Sequence, residues 1–143
     1  MTQKPITPDI GYELANPTGV SISPDGNLTV YGVSKPDIKS EKLTNSLWIK
    51  DIKDSDSAPR ELTSGHTDGN PKFSPDGSSI AFLRADLKGE KQIWVLPMSG
   101  GEASMVTSLP ESVRDFSWKP DSTGFAAVAD VNPDYDGESD DDE

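Results

Sequence analysis

The chain has 143 residues, a formal net charge of −12 at pH 7 and no cysteine. The absence of cysteine excludes disulfide bonds, a thiol nucleophile and cysteine-ligated metals. The 25 acidic against 13 basic side chains argue against nucleic-acid binding, which requires clustered lysine and arginine. No apolar run is long enough for a membrane span or a signal peptide, so the sequence indicates a soluble cytoplasmic protein.

Residues 1–64 are predicted to form a lead and one unit of four strands. In the lead, residues 1–16, Thr7 is placed to cap a short helical turn with Pro8 at its first position. The strands of the unit, which covers residues 17–64, are predicted at 19–23, 27–33, 46–52 and 59–63. The turn Ser23-Pro24-Asp25-Gly26 joins the first two, because proline presets φ at its second position and glycine accepts the left-handed fourth. Residues 34–45 carry three lysines, two acids and a proline, and are predicted to be a solvated loop.

Residues 65–109 repeat the same pattern. The turn Ser74-Pro75-Asp76-Gly77 separates predicted strands at 71–74 and 79–84. A polar loop follows, then a strand at 92–96, a turn with two glycines at 99–102 and a fourth strand at 104–108. We therefore expect a second meandering antiparallel sheet.

Residues 110–131 contain the first half of a third unit. Strands are predicted at 114–119 and 125–131, on either side of Lys119-Pro120-Asp121-Ser122. Serine stands where the other two turns have glycine, so this turn is expected to be irregular. Residues 132–143 have no basic side chain and are predicted to be an acidic tail that does not pack.

The three turns recur at a spacing of roughly 45–51 residues, with strands at matching offsets. This period is typical of β-propeller blades, so the predicted fold is all-β, a partial β-propeller of about two and a half four-stranded antiparallel blades. We expect the apolar residue before each turn to be buried. The residues that define the repeat are Ile22, Pro24, Asp25, Gly26, Trp48, Phe73, Pro75, Asp76, Gly77, Trp94, Trp118, Pro120 and Asp121.

The pattern [FIW]-S-P-D-G, an alternating strand, [LI]-W-[IV], a Gly-Gly turn and [LV]-T resembles the TolB-type (WD40-like PD40) propeller repeat. Its arrangement is most similar to the N-terminal propeller of prolyl oligopeptidase-family (S9) serine peptidases, of the acylaminoacyl-peptidase and dipeptidyl-peptidase type. That branch has a "TP" lead, an R-x-L-T-S-G segment and an acidic loop, which correspond to residues 7–9, 60–65 and 130–143. The resemblance implies a non-catalytic propeller portion that gates short or acylated peptides in the full enzyme. The alternative is a stand-alone TolB-like interaction module that closes its ring by oligomerisation.

No catalytic, cofactor-binding or metal-binding residue is predicted. The resemblance places the triad of the family on an α/β-hydrolase domain with a G-x-S-x-G turn, and this motif does not occur in the chain. The single histidine, His66, is interpreted as an ordinary loop residue rather than a base. The stretch from Asn132 to Glu143 nearly fits an EF-hand calcium loop, but without flanking helices it is interpreted as a solvated acidic segment.

Two further residue sets have a structural and a functional interpretation. Trp48, Trp94 and Trp118 are expected to pack between blades rather than to form a ligand-stacking set. Arg60, Arg84 and Arg114 are candidates for binding a peptide carboxylate at the propeller mouth. The favoured alternative for Arg84 and Arg114 is surface pairing with the nearby acids Asp86 and Asp115.

The expected partners follow from the strand patterns. Ile80 and Phe82 are expected on one face of the second sheet, and Ala81 and Leu83 on the other, so each blade needs a neighbour on both sides. The outer faces of the end blades would then expose apolar surface. We expect the remainder of the propeller and the hydrolase domain, a partner chain, or further copies of the chain to cover them. The peptide substrate would be a partner of the full enzyme; neither nucleic acid nor a membrane is expected.

Overall fold

The computed structural model describes residues 15–65 and 67–131, and all of its regular secondary structure is β-strand. The ten strands are β1 (Asn16–Ile22), β2 (Leu28–Asp37), β3 (Lys42–Asp51), β4 (Arg60–Glu61), β5 (Gly69–Phe73), β6 (Ser79–Ala85), β7 (Lys91–Pro97), β8 (Ser104–Met105), β9 (Val113–Trp118) and β10 (Phe125–Ala129). They form a first sheet, β1-β2-β3-β4, a second sheet, β5-β6-β7-β8, and a third sheet, β9-β10, each antiparallel. The predicted partial propeller is confirmed. None of the described residues lies in a helix that could cross a membrane.

The three hairpin turns have one geometry. Gly26 and Gly77 both have φ of +73°, and each donates its N–H to the residue three positions earlier, at 2.8 and 2.9 Å. Ser122 takes the same left-handed conformation, with φ of +61° and a 2.9 Å bond to the Lys119 carbonyl. The expectation of an irregular third turn is therefore wrong. Asp121 holds this turn, since it accepts from the Thr123 N–H at 3.0 Å and from the Thr123 hydroxyl at 2.6 Å.

The prediction of a solvated loop at residues 34–45 is also wrong for most of this stretch. β2 and β3 continue through it as a hairpin, pairing Ser34 with Asn45 and Asp37 with Lys42. The Thr44 hydroxyl donates to the Lys35 carbonyl at 3.2 Å, across the two strands. Charged residues in this stretch therefore lie on a projecting two-stranded ribbon, whose polar composition reflects its exposure rather than a lack of strand structure.

The fourth strands are shorter than predicted because threonine hydroxyls replace part of their backbone pairing. Thr63 Oγ1 accepts from the Leu47 N–H at 3.1 Å, and Thr107 Oγ1 accepts from the Ile93 N–H at 2.8 Å. Only two residues of β4 and two of β8 pair with the third strands. In the repeated Leu/Val-Thr-Ser pattern, the threonine hydroxyl thus binds the outermost segment of each complete sheet to the third strand.

Apolar side chains fill both interfaces between neighbouring sheets. The first cluster joins one face of the first sheet to one face of the second, and consists of Val30, Leu47, Ile49, Phe73, Ile80, Phe82 and Leu96. The second cluster joins the opposite face of the second sheet to the third, and consists of Ala81, Leu83, Ile93, Val113 and Phe116. The predicted division of Ile80 and Phe82 from Ala81 and Leu83 is confirmed, and follows from strand alternation.

The apolar residues before the three turns are not equally buried, contrary to the expectation. Phe73 is 8% exposed and Trp118 is half-buried, but Ile22 is 59% exposed. All three occupy the same place in the repeat. Phe73 faces the first sheet, whereas the corresponding face of the first sheet has no neighbouring sheet within the described residues. The open face of the first sheet and that of the third, where Val128 is 61% exposed, are the exposed end faces that the sequence led us to expect.

Candidate functional site

The three sheets come together at their first strands, which makes β1, β5 and β9 the inner strands of the propeller. The Phe73 N–H on β5 donates to Ser21 Oγ on β1 at 3.1 Å. Lys72 Nζ on β5 lies 2.8 Å from Asp115 Oδ1 on β9. Propeller blades are arranged around a central channel, so these three strands form its wall in this part of the ring.

A bulge recurs in the inner strands and shapes this wall. Gly19 and Asn70, at equivalent positions of β1 and β5, have left-handed φ values of +56° and +50°, and the strand register shifts at both. Asparagine tolerates this conformation better than most residues. The bulge turns the Asn70 side chain toward the third sheet, where its Nδ2 donates to Asp115 Oδ1 at 3.0 Å.

Asp115 links the inner strands of the second and third sheets. It accepts from Lys72, from Asn70 and from the Phe116 N–H at 2.8 Å, and these interactions, Lys72 first, lower its pKa to about 2. Lys72 also donates to the Phe116 carbonyl and lies 4.7 Å from the centroid of the Phe116 ring. The channel wall therefore carries a fixed, ionised carboxylate that is neutralised by a lysine.

The predicted pairing of Arg114 with Asp115 is wrong. Asp115 is held by Asn70 and Lys72 on β5. Arg114 Nε instead lies 2.6 Å from Asp130 Oδ1, just beyond the end of β10, and this exposed pairing raises the pKa of Arg114.

The predicted pairing of Arg84 with Asp86 is wrong as well. Arg84 makes a two-point contact with Asp68, with Nε 2.6 Å from Oδ1 and Nη2 2.8 Å from Oδ2. Asp68 is fully buried, and the guanidinium lies over the Phe82 and Trp94 rings at 5.1 and 4.9 Å; hydrogen bonding to Asp68 raises the pKa of Arg84. Asp86 instead accepts the backbone N–H groups of its own hairpin loop.

The buried pair fastens the link between the first two sheets. Asp68 belongs to that link, and its N–H donates to the Asn45 carbonyl on β3 at 3.2 Å. The Thr67 hydroxyl oxygen accepts from the Ala85 N–H at 3.0 Å, at the end of β6. Sequence reasoning missed Asp68, although it lies in a short polar link that contains two glycines. At Gly65, the first of them, an added Cβ would lie 2.6 Å from Arg84 Nε.

A polar pocket of about 330 Å³ opens where the link, the inner strands and β7 meet. It combines residues of all three sheets: Thr18 from β1, Asn45 from β3, Asn70 from β5, Lys91 from β7 and Arg114 from β9. Because it borders all three inner strands, we call it the channel-side pocket. It is the candidate functional site of the described chain.

The three arginines that were candidates for carboxylate binding are not brought together. Arg60 lines a pocket of about 210 Å³ with Ile49 and Met98, and Arg84 lines one of about 410 Å³ with Trp94. Only Arg114 lies in the channel-side pocket. Its companion there is Lys91, which sequence reasoning did not single out because nothing in its local pattern shows that β7 starts beside β9.

The three tryptophans do not form one ligand-stacking set. Trp94 packs against the first apolar cluster and Trp118 against the second, where it lies 4.3 Å from the Phe125 ring. Trp48 lies on the open face of the first sheet, beneath Lys35 and with Nε1 donating to Ser46 Oγ at 3.1 Å. Packing between blades therefore describes two of the three.

The remaining sequence predictions concern residues outside the described part of the chain. These are the lead with Thr7 and Pro8, His66, and the EF-hand-like stretch from Asn132 to Glu143. Among residues 15–65 and 67–131, no group of three or more histidine or acidic side chains could hold a metal ion.

The chain is similar in sequence to parts of known peptidases. No family model matches the chain. It is 30% identical over 142 residues to the uncharacterized peptidase YuxL of Bacillus subtilis, covering 98% of this chain and 21% of that protein. It is 29% identical over 141 residues to dipeptidyl-peptidase 5 of Porphyromonas endodontalis, covering 92% and 20%. The chain thus spans about a fifth of the length of the curated relatives it matches.

Solved structures give the same result. The chain superposes on an acylaminoacyl peptidase of Pyrococcus horikoshii with a TM-score of 0.71 and 27% identity, covering 92% of this chain and 20% of that one. It superposes on the β-propeller domain of the Trilobed protease from Pyrococcus furiosus with a TM-score of 0.67 and 25% identity, covering 82% and 34%. TolB from Acinetobacter baumannii, at 19% identity and a TM-score of 0.63, shares the fold.

Proposed function

The chain belongs to the N-terminal β-propellers of the prolyl oligopeptidase-family (S9) serine peptidases, and from this premise we propose that it is the non-catalytic, substrate-gating part of such an enzyme. Catalysis would reside in a hydrolase domain elsewhere in the same polypeptide. The substrates would be short or acylated peptides that reach this domain through the propeller. The proposal draws on the names of the similar proteins, which include an acylaminoacyl peptidase and dipeptidyl-peptidases.

The observation that carries the proposal is the contrast between the inner strands and the interfaces between sheets. The interfaces are apolar, whereas the channel wall presents Ser21, Asn70, Lys72 and Asp115. Such a wall stays hydrated and suits the passage of a polar peptide backbone. The links between Ser21 and β5 and between Lys72 and Asp115 hold neighbouring blades at a fixed distance, as a size filter requires.

Reading the gene beyond the Glu143 codon tests the covalent part of the proposal. We expect an open frame with further S-P-D-G turns and a G-x-S-x-G motif. The purified 143-residue chain should not hydrolyse acyl-peptide chromogenic substrates, because it contains no nucleophile motif. A stop codon directly after Glu143, or activity that is intrinsic to the chain, would contradict the proposal.

The gating part is tested in the full-length enzyme with Asp115→Ala. Loss of this link between β5 and β9 should raise the cleavage of a long unfolded polypeptide several-fold relative to that of an acylated tripeptide. Asp56→Ala, in the exposed loop between β3 and β4, is the matched control and should leave this ratio unchanged. If the unmodified enzyme cleaves long and short substrates equally well, the propeller does not gate access.

A second function, a TolB-like interaction module that closes its ring by oligomerisation, is favoured by the exposed end faces. Val20 and Ile22 at one end are 71% and 59% exposed, and Val128 at the other is 61% exposed. Faces of this kind are normally covered in repeat proteins. Sedimentation velocity of the purified chain at micromolar concentration separates the two functions, since a closed oligomer supports the second and a monomer does not.

A further inference from the structure

The channel-side pocket differs from the rest of this acidic protein in the groups that it offers to a ligand. Two exposed cationic side chains, Lys91 and Arg114, reach it from β7 and β9. Thr67 supplies a third polar group from the link between the first two sheets. At Gly69, which also lines the pocket, an added Cβ would meet no atom within 4 Å, so the pocket is open there.

The hydrogen bonds already present leave donors rather than acceptors for a ligand. The Thr67 hydroxyl oxygen accepts from the Ala85 N–H, and its own O–H is a further donor. Arg114 contacts Asp130 through Nε, and the guanidinium has two more nitrogens that carry N–H groups. Lys91 brings an ammonium group, whose three N–H bonds can only donate.

Three of the carboxylates around the pocket are paired with cations. Asp68 is fully buried and held at two points by Arg84, and Asp115 is paired with Lys72. Asp130 is paired with Arg114, and Glu90 accepts a 2.5 Å hydrogen bond from the Ser112 hydroxyl, which orients its carboxylate and leaves it charged. The residues that line the pocket itself include two cations, Lys91 and Arg114, and one acid, Asp68, whose charge Arg84 compensates. The local balance favours an anion over a cation.

We propose that this pocket is a carboxylate subsite of the channel, which binds the carboxylate of a peptide through Lys91, Arg114 and the Thr67 hydroxyl. Cationic donors in a fixed arrangement bind carboxylates with short, charge-assisted hydrogen bonds. The carboxylate comes either from the C-terminus of the peptide or from an aspartate or glutamate side chain. The subsite rests on the proposed function for its biological role, since it would orient peptides that pass through the channel.

The test uses the 143-residue chain and three tripeptide probes, followed by amide NMR shifts or calorimetry. Acetyl-trialanine with a free C-terminus is compared with its C-terminal amide and with acetyl-Ala-Asp-Ala amide. We expect the free acid to bind about tenfold more tightly than its amide, with the largest shifts at residues 67–70 and 91. If the aspartyl peptide binds as tightly as the free acid, the subsite accepts a side-chain carboxylate as well; if only the free acid binds, it recognises C-termini.

Two variants test the donors, and a third is the control. Lys91→Gln and Arg114→Gln should each weaken binding of the free acid by roughly five- to tenfold, because both remove a charged donor. Both side chains are exposed, so neither change should unfold the chain. Lys53→Gln, in the β3–β4 loop at the other end of the first sheet from Asn45, removes the same charge far from the pocket and should leave affinity unchanged.

Three outcomes would overturn the subsite. They are equal binding of acid and amide, equal loss of affinity in the Lys53 and Lys91 variants, and no binding of any probe up to about 20 mM. The assay involves no peptidase activity. Its failure would therefore leave the gating proposal standing, and a failure of gating would leave the binding result intact.

Discussion

Replacing Arg84 with leucine is expected to destabilise the chain by roughly 3–5 kcal/mol, because it leaves the buried carboxylate of Asp68 without its charged partner. Asp68 has no exposed surface, and its two oxygens are held by Nε and Nη2 of Arg84 at 2.6 and 2.8 Å. The guanidinium also covers the Phe82 and Trp94 rings, so packing is lost along with the charge. This loss is a large fraction of the stability of a small domain.

The measurement is urea unfolding followed by tryptophan fluorescence, with a double-mutant cycle. Asp68→Asn combined with Arg84→Leu should cost clearly less than Arg84→Leu alone, because the carboxylate is then no longer charged. Arg114→Leu is the matched control: its contact with Asp130 is equally short, at 2.6 Å, but the two side chains are 69% and 47% exposed. Such an exposed ion pair contributes little to the free energy of unfolding, since water screens it.

Two results would refute this reasoning. Equal destabilisation by Arg84→Leu and Arg114→Leu would mean that burial of Asp68 has no energetic consequence. A double variant that loses the sum of the two single effects would mean that Asp68 and Arg84 do not act as a pair. If Arg84→Leu does not fold at all, the double variant still tests the pairing, because it should recover a cooperative unfolding transition.

Three further changes test other parts of the structure. Gly32→Ala should destabilise the fold by on the order of 1–3 kcal/mol, because its Cβ would lie 2.5 Å from Thr18 Oγ1 and 2.7 Å from the Thr18 carbonyl oxygen. The added Cβ of Gly69→Ala meets nothing within 4 Å, so this control should be nearly neutral in the same unfolding assay. Gly77→Val should lower the stability of the fold more than Ser122→Val does. Both positions have positive φ, but residue 122 already carries a side chain and its strain. Unfolding midpoints in the reverse order would contradict the shared turn geometry. Hydrogen bonds, from the Ser74 hydroxyl first, lower the pKa of Asp76 from 3.8 to about 2, so this carboxylate stabilises the fold above pH 3.8 and the contribution is lost as the pH falls toward 2. Asp76→Asn should therefore flatten the decline in unfolding midpoint between about pH 5 and 2.5, and an unchanged decline would assign acid sensitivity to other groups.

The parts of the fold that could be predicted from the sequence are those determined by local chemistry. The Ser-Pro-Asp-Gly turns need only four consecutive residues, and the apolar alternation around Ile80–Leu83 sets both faces of the second sheet without reference to distant residues. Ser122 was misjudged because residue preference was weighed without Thr123, whose hydrogen bonds to Asp121 hold the turn.

The ion pairs could not be predicted in this way, because their partners meet through the arrangement of strands. Asp68 directly precedes β5 and Arg84 lies near the end of β6, so the two meet only because the strands pair. Lys91 and Arg114 line the same pocket only because the second and third sheets converge. The sequence does contain a signal for the long β2–β3 hairpin. Residues 37–42 read D-I-K-S-E-K and residues 86–91 read D-L-K-G-E-K. This similarity marks both as equivalent loops between second and third strands.

The attachment of the outer edge by threonine hydroxyls affects how the chain meets other chains in solution. A long, flat edge strand offers a row of free backbone groups, onto which a foreign strand can add. β4 and β8 present only two residues each, and the Thr63 and Thr107 hydroxyls occupy N–H groups that a foreign strand would need. Within the described residues, β10 pairs only with β9, whereas the second strands β2 and β6 of the other two sheets are paired on both sides, so β10 has an edge that is open to strand addition. Aggregation of the isolated chain should therefore begin at the sequence Phe125–Ala129 and not at the rim of the complete blades.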